Sequence, residues 1–286
     1  MRYIVAVSGG VDSVVLLHQL VAAGEHELLV AHFDHGIRDD SMADARFVEQ
    51  LAVGYGLPFI TRREELGVGA SEELARRRRY RFLRQVAGWQ NAVIVTAHHR
   101  DDVIESVAIN LTRGTGWRGL AVLDSADIIR PLLDQPKQQL YQYALEHRLE
   151  WVEDSTNSSG MYLRNRLRSL INTRLNPEVK AALWKLRNTQ LECRAGIRDE
   201  VARLLPGAGE YSRHLVIMSD DDAAAELLRA IVARTSPLTP TRPQLQLAVL
   251  AIKTARARSI HQIGDGTSLY FTKRTFIVET TKGVVS

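Results

Sequence analysis

The sequence predicts an α/β protein: a doubly wound, mostly parallel β-sheet, then a helical linker and a small C-terminal α+β domain. In the first half of the 286 residues, short β-type runs alternate with longer segments of helical periodicity. Such alternation forms βαβ units, whose right-handed crossovers place helices on both faces of a parallel sheet. Later in the chain helical segments dominate, and β-type runs return only near the end.

The individual elements follow from this pattern in chain order. The β-type runs of the first half are 3–7, 28–33, 58–61, 92–97 and 128–129. The helical segments beside them are 12–23, 43–55, 71–87, 101–111, 135–147 and 162–175. Asn176-Pro177 marks a break, because proline is favoured in the first turn of a new helix.

After this break, a long helix is predicted over 178–205, and Pro206-Gly207 ends it. The rest contains helical segments at 220–234 and 242–257 and β-type runs at 259–263, 268–272 and 275–280. The sequence therefore predicts three parts: a large N-terminal domain over 1–175, a linker over 176–207 and a small domain over 208–286.

Composition narrows the classes of protein. The 37 Lys and Arg exceed the 33 Asp and Glu by four, which permits a nucleic-acid partner without requiring one. The single cysteine, Cys193, excludes a disulfide framework and a multi-cysteine zinc or iron–sulfur site within one chain. The sequence has no apolar segment of roughly 18 residues and no signal-peptide pattern, so a cytoplasmic protein without a membrane partner is expected. Oligomeric state cannot be derived, although a homodimer is the commonest symmetric arrangement.

A glycine turn follows the first predicted strand. Its residues are Ser8, Gly9, Gly10, Val11, Asp12 and Ser13. Glycines let the backbone approach an anion, and the N–H groups at the start of the next helix favour negative charge. The segment lacks the Gly-Lys-Ser/Thr of a Walker A loop and has the Ser-Gly-Gly-x-Asp-Ser form of ATP pyrophosphatases. Ordinary turn and N-cap chemistry is the alternative, but the flanking strand and helix favour a phosphate loop.

A second glycine motif, Gly114 to Gly119, fits the dinucleotide pattern G-x-G-x-x-G. That pattern should follow a strand and begin a helix, whereas this one follows a helical segment. A nicotinamide or flavin fold is therefore not expected.

Carboxylates lie at the start of the helix that follows the fourth predicted strand. They are Asp101, Asp102 and Glu105, and Asp101 and Glu105 share one helical face. Open α/β sheets bind ligands at the carboxyl ends of their strands, and Mg²⁺ prefers carboxylate oxygens together with phosphates. Alternatively, the two aspartates only complement the helix dipole, which explains Glu105 less well.

Histidines also lie at strand ends. Asp34 and His35 end the second predicted strand, and His98 and His99 end the fourth. Their residue types could ligate a metal, but a lone histidine is more often structural. Their role therefore stays open at this point.

Two clusters of arginines lie on predicted helices. The first contains Arg76 to Arg79, Arg81 and Arg84, and the second contains Arg164, Arg166, Arg168 and Arg174. Arginine suits phosphate recognition, which would give salt-sensitive affinity for RNA. The alternative for either cluster is a solvent-exposed charged face.

Seven motifs occur in the order in which one enzyme family has them. They are 8–13 (SGGVDS), 32–38 (HFDHGIR), Ala75-Arg76 with Arg79-Tyr80, 96–99 with Asp101, Asp102 and Glu105, 113–116 with Gly119-Leu120, 130–133 (RPLL), and 153–157 (EDSTN) with Arg164, Asn165 and Arg168. On these residues the chain resembles the tRNA(Ile)-lysidine synthetase family of the N-type ATP pyrophosphatase superfamily. The motifs span roughly residues 4 to 170.

The resemblance implies an ATP pyrophosphatase fold, also called adenine nucleotide alpha hydrolase-like, and a ligase reaction. ATP would adenylate the 2-position oxygen of the wobble cytidine in a CAU-anticodon isoleucine tRNA, and the lysine ε-amine would then displace AMP. The implied cofactors are ATP and Mg²⁺, and the implied partners are that tRNA and lysine.

The resemblance also implies roles for particular residues. Catalytic roles fall on Asp12, Asp34, Asp102 and Arg113, with Arg113 as the leading candidate to stabilise the adenylated intermediate. ATP binding is expected at Ser8, Gly9, Gly10, Val11, Asp12, Ser13, His32, Asp34, His98, Arg113 and Gly114. Lysine or Mg²⁺ is expected at Asp101, Asp102 and Glu105, and tRNA at Arg76, Arg79, Asn157, Arg164, Asn165 and Arg168. The small C-terminal domain is expected to help bind the tRNA.

Other classes remain as alternatives. An iron–sulfur tRNA thiolase of the same superfamily would need more cysteines than Cys193. An amidotransferase-linked ligase that acts on a small molecule would not depend on tRNA. A non-catalytic RNA-binding protein is disfavoured because the glycine loop and the acidic cluster are both intact.

Overall fold

The computed structural model describes residues 1–36, 41–67, 69–153, 171, 175–205, 207, 209–236 and 238–280. The chain divides into two compact units, Met1–Leu191 and Glu192–Ser286. In the part of the chain that the structure describes, no helix is both long enough and apolar enough to cross a membrane. Most of the helix predicted over 162–175 lies outside the described residues.

The N-terminal unit contains a five-stranded parallel sheet. Its strands are β1 (Arg2–Ala6), β2 (Glu27–Asp34), β3 (Phe59–Arg63), β4 (Val93–Val95) and β5 (Ile128–Ile129), in the order β3-β2-β1-β4-β5. The five strands occur where the alternation predicts them, and the parallel sheet is confirmed. Its order reverses beside β1, so that the carboxyl ends of β1, β2 and β4 meet at one edge, where ligands bind in open α/β folds.

Helices cover both faces of this sheet. They are α1 (Val11–Ala23), α2 (Ser41–Gly54), α3 (Glu72–Gln90), α4 (Arg100–Thr112) and α5 (Lys137–Glu146), with a 3₁₀ turn at Trp117–Leu120. Because successive strand residues point to opposite faces, Val5 packs with Leu16 and Leu140 on one side, while Ile4 packs with Phe82 on the other. These two cores confirm the doubly wound arrangement.

The C-terminal unit has its own antiparallel sheet. The long helix α6 (Pro177–Leu204) contains the boundary between the units, and β6 (Glu210–Ser212), α7 (Arg213–Met218), α8 (Asp221–Thr235), α9 (Arg242–Thr254), β7 (Ile260–Gly264), β8 (Thr267–Phe271) and β9 (Thr275–Thr280) follow. The strand order is β6-β9-β8-β7. The small α+β fold is confirmed, while β6 and α7 were not predicted from the sequence.

One charged side chain is buried in the core of the C-terminal unit. Arg213 donates hydrogen bonds to the carbonyl oxygens of Ile252 (2.8 Å), Ala255 (2.9 Å) and Thr272 (3.2 Å). Its guanidinium carbon also lies 5.4 Å from the centre of the Phe271 ring. Arg213 therefore ties the end of α9 to the residue that follows β8.

Candidate active site

The glycine loop joins β1 to α1 at the carboxyl edge of the sheet. Gly9 has φ +96°, a left-handed conformation that favours glycine, and its carbonyl accepts a hydrogen bond from the Val152 N–H at 2.9 Å. Gly10 precedes the first turn of α1 and supplies no side-chain cap. Gly10 therefore offers no side chain to the first-turn N–H groups of α1, which suits an anion site at a helix N-terminus.

The two serines of the loop differ in their surroundings. Ser13 is buried, and its hydroxyl donates to the Gly10 carbonyl at 2.8 Å. The Ser8 hydroxyl is exposed and lies 3.2 Å from that of Ser13. Ser13 therefore fixes the shape of the turn, while Ser8 is the hydroxyl of this pair that can reach a ligand.

His32 supports this loop from the neighbouring strand. Its buried Nδ1 lies 2.9 Å from the Val7 carbonyl, which can only accept, so Nδ1 carries the proton. Burial lowers the pKa of His32 despite this hydrogen bond, and the ring is neutral at pH 7. The structure thus gives His32 a supporting position behind the loop, and its predicted contact with ATP stays a prediction.

Asp34 is also buried, at the end of β2. Its Oδ1 accepts from the Gly36 N–H at 2.8 Å, and its Oδ2 lies 3.2 Å from Nη1 of Arg63. Gly36 has φ +60°, and a Cβ there would lie 2.9 Å from the Cα of Glu65. Both oxygens of Asp34 therefore hold the turn after β2, and its catalytic role stays a prediction.

A cluster of ionisable side chains lies where α1 and α4 begin. The buried His99 ring has its Nε2 3.5 Å from Oδ2 of Asp12 and 3.4 Å from Oδ2 of Asp102, and its Nδ1 3.9 Å from Oδ2 of Asp101. Oδ2 of Asp102 also accepts from the His99 N–H at 3.0 Å. The structure thus brings the aspartate of the glycine loop together with the aspartates of α4 at the carboxyl edge of the sheet.

Opposing effects set the charges in this cluster. Burial alone would raise the pKa of Asp12, but the hydrogen bond and charge of His99, together with Lys137, outweigh it and lower that pKa. Burial likewise would lower the pKa of His99, but Asp12 and Asp102 outweigh it and raise that pKa. The short distances, the lowered pKa of Asp12 and the raised pKa of His99 together describe an ionised carboxylate beside an imidazole whose protonated form is favoured.

Lys137 is a member of the cluster that sequence reasoning missed. Its Nζ lies 3.5 Å from Oδ2 of Asp12, and its backbone N–H donates to Oδ2 of Asp101 at 2.8 Å. Asp12 and Lys137 are 125 residues apart, so no local pattern links them. Pro136, before the first residue of α5, signals only that a helix begins there.

The other predicted residues at the start of α4 are placed differently. One oxygen of Asp101 caps α5 through Lys137, while Glu105 is buried inside the unit. His98 is partly buried, and its Nδ1 lies 2.8 Å from the Thr96 hydroxyl. Of the two aspartates, Asp102 lies nearer to His99. Which of the three carboxylates bind lysine and which bind Mg²⁺ stays a prediction.

Arg113 and Gly114 lie at the opposite end of α4. They are exposed, and Arg113 ends the helix with its N–H bonded to the Ile109 carbonyl at 3.1 Å. Eleven residues separate Arg113 from Asp102, which is about 16 Å along a helix. The structure does not bring these two residues to the glycine loop and gives no support to their predicted contact with ATP.

The first arginine cluster surrounds a buried tyrosine. The guanidinium carbons of Arg76, Arg79 and Arg84 lie 4.8, 5.4 and 5.7 Å from the centre of the Tyr80 ring. Arg84 also forms a 2.8 Å ion pair with Asp127. Arg76 and Arg79 are partly exposed on α3, as a phosphate contact would require. The remaining predicted tRNA contacts, Asn157, Arg164, Asn165 and Arg168, lie outside the described residues.

The donor set is compatible with a shared magnesium ion. Among the described residues, buried Oδ1 of Asp12 has no hydrogen-bond partner, and Asp102 lies against the same histidine as Asp12. Within the described residues, no group of three or more His, Cys, Asp or Glu side chains is arranged to hold a metal ion. One or two carboxylates are nevertheless the usual protein share when substrate phosphates provide the other oxygens of Mg²⁺.

The fold and the loop define an ATP-binding class of protein. A family model described as the PP-loop domain matches residues 1–175, which is more than half of the chain. The chain therefore belongs to the PP-loop family.

Relatives within this class confirm the resemblance to tRNA(Ile)-lysidine synthetases. A protein of Solibacter usitatus named tRNA(Ile)-lysidine synthase is 41% identical over 187 residues, covering 64% of this chain and 42% of that protein. One of the same name from Exiguobacterium sibiricum is 42% identical over 171 residues, covering 58% of this chain and 41% of that protein. The matched segments thus span about two fifths of these relatives.

A solved structure shows the same fold at lower identity. The U34-tRNA thiolase NcsA of Methanococcus maripaludis, described with its [4Fe-4S] cluster, has a TM-score of 0.56 and 17% identity. The match covers 67% of this chain and 73% of that chain. At this identity the likeness concerns the fold alone.

Proposed function

We propose that the protein is an ATP-dependent tRNA(Ile)-lysidine synthetase, a ligase that forms a carbon–nitrogen bond. The observation that carries the proposal is the joining of Asp12, in the SGGVDS loop, to Asp102 of α4 through one buried histidine. The relatives that share this part of the sequence carry the name of that enzyme.

Two steps make up the proposed reaction. The 2-position oxygen of the wobble cytidine in a CAU-anticodon isoleucine tRNA attacks the α-phosphorus of ATP, and the bond to pyrophosphate breaks. The lysine ε-amine then attacks the base carbon, the carbon–oxygen bond to AMP breaks, and the nitrogen loses a proton. Lysidine, AMP and pyrophosphate are the products.

The described residues would act mainly by binding and orienting. The first turn of α1 and the Ser8 hydroxyl would hold the β- and γ-phosphates, which leave together as pyrophosphate. His99 would favour the ionised form of Asp12 and would hold Asp12 and Asp102 at their spacing. Mg²⁺, held by Asp12 and Asp102 with phosphate oxygens, would supply positive charge where negative charge develops on the leaving group.

For tRNA, we propose Arg76 and Arg79 as phosphate contacts and the C-terminal unit as an additional binding surface. Arg76 and Arg79 are supported by their partial exposure on α3 and by the preference of arginine for phosphate. Asn157, Arg164, Asn165 and Arg168 remain in the proposed tRNA-binding set on the strength of the resemblance. We likewise keep lysine as the second substrate, with Asp101, Asp102 and Glu105 as candidates to bind its amino groups.

An iron–sulfur tRNA thiolase is the second candidate function, because the solved structure with a similar fold is a tRNA thiolase. The full sequence has a single cysteine, Cys193, and therefore lacks the several thiolates that hold such a cluster. The ligase is the better-supported function.

Labelled lysine tests the proposal. The protein is incubated with ATP, Mg²⁺, radiolabelled lysine and transcripts of the CAU-anticodon isoleucine and methionine tRNAs. We expect acid-stable label on the isoleucine transcript alone. No label from lysine or any other amino acid, with protein that is folded and binds ATP, would refute the ligase proposal and leave another ATP-activated acceptor to be found.

A further inference from the structure

The start of α5 is fixed against the start of α4. The Lys137 N–H donates to Oδ2 of Asp101 at 2.8 Å, and the Arg100 N–H donates to the Gln135 carbonyl at 3.0 Å. Nη2 of Arg100 also donates to the Asp134 carbonyl at 2.5 Å. These three bonds hold the backbone of Lys137 at the carboxyl edge of the sheet.

Helix α5 is also held against α1, the helix of the glycine loop. The His18 ring lies 2.9 Å from the Tyr143 hydroxyl, and the core residues Leu16 and Leu140 belong to one cluster. The backbone that carries Lys137 therefore keeps its place beside the first turn of α1, whatever its side chain contacts.

The side chain of Lys137 has more freedom than this backbone. Its Nζ lies 3.5 Å from Oδ2 of Asp12, and 47% of the side chain is exposed. An ion pair of this length and exposure adds little to folding stability. Folding stability therefore does not explain why a lysine stands at position 137.

The negative charge of Asp12 is a stronger reason for a lysine at this position. Asp12 places a negative charge in the first turn of α1. The glycine loop would receive the phosphates of ATP there, and this charge repels them. The buried His99 ring lies 3.5 Å from Asp12 on the inside of the unit, whereas the Lys137 ammonium offsets the charge of Asp12 from the solvent side. When Mg²⁺ and phosphates arrive, a flexible ammonium with three donors can move from the carboxylate to a phosphate oxygen without moving α5.

We propose that Lys137 is a phosphate-binding residue that contacts the β- and γ-phosphates of ATP and the pyrophosphate released from it. Its Nζ lies beside Asp12, where it would give way to the incoming cation. This assignment rests on the proposed function only as far as ATP is the substrate, since it needs neither tRNA nor lysine.

Calorimetric binding of magnesium pyrophosphate, ATP and adenosine, without tRNA or lysine, tests the assignment. We expect Lys137→Ala to bind pyrophosphate and ATP at least about tenfold more weakly, and Lys137→Arg to stay within about threefold of wild type. Adenosine affinity should not change in either variant. Lys185→Ala, which removes an exposed lysine from α6, is the matched control and should bind all three ligands as wild type does.

Two results would overturn the assignment. Lys137→Ala that binds pyrophosphate as tightly as wild type would show that the ammonium does not contact the phosphates. Equal loss of adenosine and pyrophosphate affinity would show that Lys137 only maintains the structure. By contrast, wild-type protein that binds ATP and pyrophosphate but transfers no lysine would refute the proposed ligase while leaving this assignment intact.

Discussion

Each of the two units buries a basic side chain, Arg213 in one and His99 in the other, but they surround it differently. In the C-terminal unit, Arg213 donates to three backbone carbonyls, and each of its nitrogens has a partner. In the N-terminal unit, His99 faces three aspartates at 3.4–3.9 Å, while buried Nδ1 of His99 and Oδ1 of Asp12 find no hydrogen-bond partner within the part of the unit that the structure describes.

This difference separates structural burial from burial that serves a ligand. Buried polar atoms in folded proteins are nearly always hydrogen-bonded, and the exceptions require an explanation. All three nitrogens of the Arg213 guanidinium are hydrogen-bonded without any ligand, so Arg213 has the structural role of holding α9 to the sheet. The unsatisfied atoms beside the glycine loop are explained if Mg²⁺ and ATP complete that cluster.

The largest expected effect is on catalysis, from Asp12→Asn. The amide keeps the shape of the carboxylate but loses the charge that pairs with His99 and would hold Mg²⁺. We expect ATP–pyrophosphate exchange to fall by at least about 100-fold, or about 2.7 kcal/mol. Asp222→Asn, which changes a carboxylate that is 91% exposed, is the control and should retain full exchange. Wild-type exchange in a folded Asp12→Asn protein would remove Asp12 from the mechanism.

The next effect is on stability, from Arg213→Met. The change leaves the buried Ile252 carbonyl and the part-buried carbonyls of Ala255 and Thr272 without their donor, and we expect a loss of about 2 kcal/mol in unfolding free energy of the C-terminal unit. Thermal denaturation measures this loss, and calorimetry should find ATP affinity unchanged below the transition. An Arg213→Met protein that stays as stable as wild type but loses ATP binding would reverse the roles assigned to the two units.

A smaller effect is expected from Arg113→Ala. Arg113 lies about 16 Å along α4 from Asp102, so its loss should leave ATP affinity unchanged. We expect lysine transfer to tRNA to fall by about tenfold, through a contact made once tRNA is bound. A loss of ATP affinity equal to that of Asp12→Asn would mean that the end of α4 belongs to the nucleotide site.

The last expected effect concerns the pH dependence of stability, through His35. Burial, followed by the charge of Arg79, lowers the pKa of His35 to about 4. Between pH 6.5 and 4 the unfolded chain binds a proton there that the folded chain does not, so this histidine makes stability fall as the pH falls through that window. In urea denaturation, His35→Gln should lose stability less steeply than wild type over the same window. An unchanged slope would contradict the shift.

The periodicity of the sequence was sufficient for the main fold. Long elements such as α3 and α6 have a strong apolar repeat, and the five parallel strands lie between turn signals. By contrast, only Tyr211 of the three residues of β6 is apolar, whereas the comparably short β4 and β5 are wholly apolar. The six residues of α7 are too few for a helical period to show. The place of β6 and α7 in the C-terminal unit depends on pairing with β9 and packing against α9.

The candidate site was predicted in part. Strand ends placed Asp12 and Asp102 at one edge, because parallel strands bring their carboxyl ends together. The sequence could not show that Lys137 pairs with Asp12, since that contact depends on how α5 packs against α1. Nor could motif order show that Arg113 lies far along α4 from the glycine loop.

Hydrogen exchange with and without ATP and Mg²⁺ tests the central claim, that the PP-loop edge of the N-terminal unit binds the nucleotide. We expect slower exchange in peptides covering residues 8–14 and the starts of α4 and α5, and no change in peptides covering α8, α9 and β7 to β9. Protection confined to the C-terminal unit, or none near the glycine loop at saturating ATP, would contradict the account.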